Sequence, residues 1–194
     1  MKLKALVSAA TIALTAAACA PMDMNNDMSM TDDDVVTVAG AEMFASRNIV
    51  ENAMNSPIHT TLVSAVKQAQ LVDTLSGPGP FTVFAPTDEA FSKVPPAMLN
   101  SAMQDQNRAM LQGVLTYHVV PGRVTAADLM QRIRAGGGST SIATVNGDQL
   151  NFSLMNGMVH LMGKNGTMAN VTQADVMQSN GIIHVVDGVL LPSM

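Results

Sequence analysis

Two apolar runs about a hundred residues apart restrict this chain more than anything else in it. The first, Gly79-Pro80-Phe81-Thr82-Val83-Phe84-Ala85-Pro86-Thr87-Asp88-Glu89-Ala90-Phe91, joins a strand, a proline stop and a capped helix start. Phe81 to Phe84 mixes aromatic and β-branched residues without alternation, the pattern of a strand buried on both faces. Pro86 closes it. Thr87 or Asp88 then offers an oxygen to the free amides of the next turn, Asp88 and Glu89 place negative charge at the positive end of the helix dipole, and Phe91 folds back as a core anchor. The second run, Ser179 to Pro192, carries Ile182-Ile183-His184-Val185-Val186 between Asn180-Gly181 and Asp187-Gly188. Both runs read as short strands between turn residues.

The stretches around them follow different periods. Ile49, Ala53, Leu62, Val66 and Ala69 recur at helical spacing, which predicts two helices broken at Pro57, the second capped by Thr60 or Thr61. Met110, Leu111, Val114 and Leu115 share one face of a helix over 107–115 that Asp105 would cap. Thr125 to Asp128 resembles a capping box, and Gly136-Gly137-Gly138 stops the helix it opens. From Ser141 the signal turns to β. Asn146-Gly147, Asn156-Gly157, Asn165-Gly166 and Asn180-Gly181 each supply the positive φ angles of a tight turn, with short Val, Leu, Ile and Met segments between them, so an antiparallel meander is expected. Helices first and hairpins later argue an α+β fold rather than a doubly wound sheet.

The N-terminus belongs to export rather than to the fold. Lys2 and Lys4 precede an apolar stretch from Ala5 to Leu14 and the small residues Ala16-Ala17-Ala18, which makes residues 1–18 a signal peptide too short in its apolar core to remain as a membrane span. Cys19, the only cysteine, follows directly. The surrounding residues resemble the lipobox of bacterial lipoproteins, in which that cysteine becomes the lipidated mature N-terminus, although Ala16 stands where the motif prefers Leu. Cleavage after Ala-x-Ala, leaving a secreted or periplasmic protein with one thiol, is the other reading. With lipid attached, Ala20 after the cysteine would point to the outer membrane of a Gram-negative cell, and Cys19 would be the chain's contact with a membrane. Residues 19–40 are rich in Met and Asp and read as a disordered tether, with Val35 to Val38 either a short strand or the end of that linker; the folded unit is set at 41–194.

Loss of residues 1–18 removes Lys2 and Lys4 and no acidic residue, so the formal charge moves from −5 to −7. The eight remaining Lys and Arg are scattered, which argues against nucleic acid as a partner. The fold has no disulfide to lean on and must be held by its core.

From about Ala41 to Pro192 the chain resembles a complete bacterial fasciclin-type domain. Asn48-Ile49-Val50-Glu51-Asn52-Ala53, His59-Thr60-Thr61-Leu62-Val63-Ser64-Ala65-Val66, the Phe81 to Phe91 block, Leu115-Thr116-Tyr117-His118-Val119-Val120-Pro121-Gly122, Ala169-Asn170-Val171, Ala174-Asp175-Val176 and the Ser179 to Pro192 block carry the resemblance in order. It implies a small antiparallel β-wedge flanked by several short helices, with the two signature strands close together. It also implies adhesion or binding outside the cell, to an unknown protein, matrix or cell-surface ligand. In animal members receptor binding is attributed to the Tyr-His neighbourhood and to an Asp-Ile pair before the second block; the matching positions are Tyr117, His118, Asp175 and Val176, with Val in place of Ile. The same residues also read as core anchors and, for Asp175, a helix or turn cap.

No catalytic apparatus emerges. His59, His118, His160 and His184 lack the i, i+4 spacing of metal ligands, no Gly-x-Ser-x-Gly elbow is present, and Gly157 to Lys164 departs from a phosphate-binding loop in spacing and in Asn165. No cofactor is implied and the chain is read as no enzyme. With no Trp and a single Tyr, it also lacks the aromatic platform common in sugar binding. Met22, Met24, Met28 and Met30 form two Met-x-Met pairs in the tether, and thioethers are soft ligands suited to Cu(I) outside the cytoplasm. A metal or stress-related role through that tether is therefore the alternative function, against an oxidisable spacer in a chain with 17 methionines.

Overall fold

The computed structural model describes residues 35–192. Strands β1 (Val35–Val38) and β2 (Ala41–Phe44) form an antiparallel hairpin through Ala39 and Gly40, both at positive φ. Val38 and Met43 are buried, and Gln173 donates its amide to the Thr37 carbonyl at 3.2 Å. Of the two sequence readings of residues 35–38, short strand or end of the tether, the structure has the strand. Their burial comes from a partner far along the chain, which four residues cannot announce.

Helices α1 (Ile49–Asn55), α2 (Thr60–Gln68) and α3 (Val72–Leu75) follow, three where the pattern predicted two, with the break at Pro57 as expected. Asn48 and Glu51 make a reciprocal capping box on α1. Neither Thr60 nor Thr61 caps α2. Its free amides, Thr60 N–H and Thr61 N–H, donate to the Asp88 carboxylate at 3.2 and 2.8 Å.

Strand β3 (Phe81–Pro86) runs into α4 (Asp88–Ser92), whose Ala90 N–H donates to Thr87 Oγ1. The first block thus caps two helices, one through Thr87 and one through Asp88. Helix α5 (Pro96–Ala102), opened by proline at its first position, has no counterpart in the sequence reading. A 3₁₀ turn at Asp105–Asn107 leads into α6 (Arg108–Tyr117). Asp105 does not cap that helix as expected; its carboxylate accepts instead from Arg108 and Gln68. Strand β4 (Val119–Pro121) and α7 (Ala126–Ala135), with the Thr125 and Asp128 capping box, complete the helical half.

The meander is β5 (Ser139–Ala143), β6 (Gln149–Met155), β7 (Met158–Met162), β8 (Met168–Gln178) and β9 (Gly181–Val186). Each Asn-Gly pair lies at a connection, and the first three place glycine at positive φ. Gly181 does not. It is glycine because a Cβ there would lie 2.0 Å from the Phe81 carbonyl oxygen, so the two strands approach only without a side chain.

The larger sheet has the order β4-β3-β9-β8-β7-β6-β5. The fold is α+β, with a mostly antiparallel sheet flanked by short helices; among the described residues its one parallel pair is β3 with β9. That pair is the two signature blocks side by side. Val83, Ala85, Ile183 and Val185 face one core with α1, α2 and α6, while Phe84 and Val186 face a second with α7, Leu150, Phe152 and Leu161. Among the described residues no helix is long and apolar enough to cross a membrane.

Candidate functional site

Helix α6 presents Leu111 and Leu115 to the core and ends on Tyr117, with His118 as its C-terminal cap before β4. Both rings are buried and meet edge to face, centroids 6.5 Å apart. The Tyr117 hydroxyl donates to the Gln149 carbonyl at 3.1 Å and accepts from Lys164 N–H at 3.2 Å. Burial raises its pKa, partly offset by that amide. His118 Nδ1–H donates to the Val114 carbonyl at 2.8 Å, and Nε2 accepts from Leu190 N–H at 3.0 Å. One nitrogen must carry a proton and the other must not, so the ring is held neutral. Burial pushes its pKa down to about 4.

β8 slips register against β9 twice, and Asp175 stands in the second slip, between Gln173 and Val176. Its φ of +57 aims the side chain off the ladder, and the carboxylate accepts from Ala126 N–H at 2.8 Å, at the first turn of α7. Asp175 N–H donates to His184 Nδ1 at 3.2 Å, and His184 Nε2–H donates to the Val124 carbonyl at 2.9 Å. This second histidine is also neutral, its pKa lowered by burial, and it stacks on Phe84 at 5.4 Å. Thr82, the second residue of β3, accepts from Val124 N–H and donates to the Gly122 carbonyl. Three side chains from three strands thus clamp segment 122–126, the loop after β4 and the first residue of α7, on which Arg123 is exposed.

The four residues marked by resemblance do not form one surface. Tyr117 lies in one core cluster and Val176 in the other, His118 is buried, and only Asp175 is partly exposed. The burial of Tyr117 and His118 has a physical reason: their polar tips find backbone partners inside the fold, which removes the penalty that would keep them at the surface. Thr82 and Asn180 are the residues that sequence reading passed over. Asn180 accepts from Ile49 N–H and donates to the Leu75 and Gly77 carbonyls, tying the start of β9 to α1 and α3. The signal for Thr82 is a polar side chain inside an apolar run, which has to find a partner when buried, whereas Asn180 shows in the sequence only as half of a turn pair. Cys19 and the tether methionines Met22, Met24, Met28 and Met30 lie outside the described residues.

On the surface, a cleft of about 390 Å³ opens between α4, α5 and the start of β8, lined by Lys93, Val94, Met98, Met168, Asp187 and Leu191. Lys93 Nζ reaches across it to the Asp187 carbonyl at 2.8 Å, and the Asp187 carboxylate is occupied by the Asn170 main-chain and side-chain amides.

The family model of the Fasciclin domain matches residues 57–192. Protein sll1483 of Synechocystis sp. is 41% identical over 168 residues, which is 87% of this chain and 86% of its own length. Cell surface glycolipoprotein MPB83 of Mycobacterium bovis is 32% identical over 161 residues, with 80% of this chain and 64% of MPB83 covered. A solved FAS1 domain pair from the insect cell adhesion molecule Fasciclin I superposes with a TM-score of 0.66 at 23% identity, over 75% of this chain and 51% of that one, so the shared fold spans about half of the pair.

Proposed function

The chain belongs to the fasciclin domain family, and from that premise we propose that it is a non-enzymatic adhesion or binding module of a bacterial envelope or extracellular matrix. The observation that carries this reading is the clamp on loop 122–126. Thr82, Asp175 and His184 spend their polar groups on fixing the backbone of the segment that carries the exposed Arg123 side chain, an arrangement suited to presenting a rigid surface and not to moving protons. The partner surface proposed is this loop with the β8 bulge beside Asp175. Tyr117, His118 and Val176 act on it from within, as positioning residues. Support for an extracytoplasmic place comes from the export-type residues 1–18 and from the name of MPB83, a cell surface glycolipoprotein.

The test is attachment. Beads carrying the chain should adhere to envelope or matrix material of the source bacterium, soluble chain should compete, and Arg123→Glu should weaken adhesion while leaving the unfolding midpoint unchanged. Adhesion equal to that of beads carrying unfolded chain would overturn the reading. Mass spectrometry of the mature N-terminus, with Cys19→Ala as control, separates an outer-membrane lipoprotein from a secreted or periplasmic form.

A further inference from the structure

Strand β7 alternates. Val159 and Leu161 point into the second core, so Met158, His160 and Met162 share the opposite, solvent-facing side. The register carries this face across the sheet: Met155 of β6 pairs with Met158, and Met168 of β8 pairs with Met162. Ser153 and Asn170 flank His160 on either side. The result is a Met-x-His-x-Met line with one further thioether next to each end. The four methionines are 57%, 50%, 45% and 69% exposed for Met155, Met158, Met162 and Met168, far more than side chains of this kind normally leave in water.

The residues that these pairings add to the face, Ser139, Ser141, Asn151, Ser153 and Asn170, are uncharged, so its donors are thioethers, an imidazole and neutral oxygens and amides. In contrast to His118 and His184, whose nitrogens are taken by the backbone, the Nε2 atom of His160 is buried and has no hydrogen-bond partner among the described residues. Among the described residues no three His, Cys, Asp or Glu side chains gather as a site for a harder metal. Thioethers and an imidazole nitrogen without carboxylates select a soft, low-charge cation over Zn(II), Mg(II) or Ca(II).

We propose that this face of β6, β7 and β8 binds a soft monovalent metal ion of the Cu(I) class, ligated by Met158, His160 and Met162, with Met155 and Met168 as flanking thioethers. The rigid strand presets the three ligands two residues apart on one side, so little order has to be imposed on binding. The site is independent of the adhesion surface and of the methionines in the tether.

Silver(I), a redox-inert ion of the same class, is the probe. Titrated into the full chain labelled with ¹³C at its methionine methyls, Ag(I) should shift the Met158 and Met162 signals together with the His160 ring, and Zn(II) should not. Met158→Leu with Met162→Leu, which preserves volume, and separately His160→Gln, should each weaken Ag(I) binding about tenfold or more with circular dichroism unchanged. A chain with Met22, Met24, Met28 and Met30 all changed to Leu should keep the sheet-face response in full. Shifts confined to the tether methyls, no shift at all, or undiminished binding by the His160→Gln chain would overturn the proposal.

Discussion

At the scale of single residues, two buried histidines are satisfied at both ring nitrogens. His118 and His184 each give a proton to one backbone carbonyl and take one from a backbone amide, so an added proton would break a bond as well as place charge in the core. His59 is buried too, bonded through Nδ1 to Ser56, and burial lowers its pKa against the opposing pull of Asp88. All three therefore bind a proton less readily folded than unfolded. The unfolded chain takes up protons first as pH falls through about 6.5, so stability is full above that value and is lost on the way down. For His118, whose folded pKa is about 4, the loss across that interval is about 3 kcal/mol. Urea midpoints measured from pH 7.5 to 4 should fall steeply below 6.5, and His118→Gln should flatten that fall.

At the scale of elements, the helix starts show how far local chemistry reaches. The boxes at Thr125 with Asp128 and Asn48 with Glu51 each close within three residues, and the first was legible as a sequence pattern. Asp88 was read with its own helix, but its carboxylate serves α2, 27 and 28 residues upstream. Desolvation pushes that carboxyl up, and the hydrogen bonds from Thr61 and Thr60 together outweigh it and hold its pKa below the ordinary value. Asp88→Ala should cost about 1 kcal/mol by chemical denaturation and speed amide exchange in the first turn of α2, leaving the amides of α4 protected. Loosening confined to α4 would assign the cap to that helix instead. Helix α5 escaped notice because it buries none of its side chains fully and so writes little apolar periodicity into the sequence.

At the scale of the whole molecule, β3 and β9 form a shared wall. Alternate residues of each strand enter opposite cores, so neither core can come apart while the other keeps the pair intact. Leu62→Ala in the first core and Leu161→Ala in the second should each cost about 2–4 kcal/mol and lower one common transition, with the dependence on denaturant unchanged. Two separated transitions would show the cores to be independent. The sequence by itself determined the α+β class, the strand runs, the turns at Asn146-Gly147, Asn156-Gly157 and Asn165-Gly166 and the cap of α7, because backbone preference and capping act over a few residues. Only the tertiary structure decided that β9 lies parallel to β3, that Tyr117 and His118 face inward and Asp88 serves a distant helix, and that Met155, Met158, His160, Met162 and Met168 share one face. Each of these depends on register between segments far apart in the chain, and a slip of one residue in β7 would turn that face into the core.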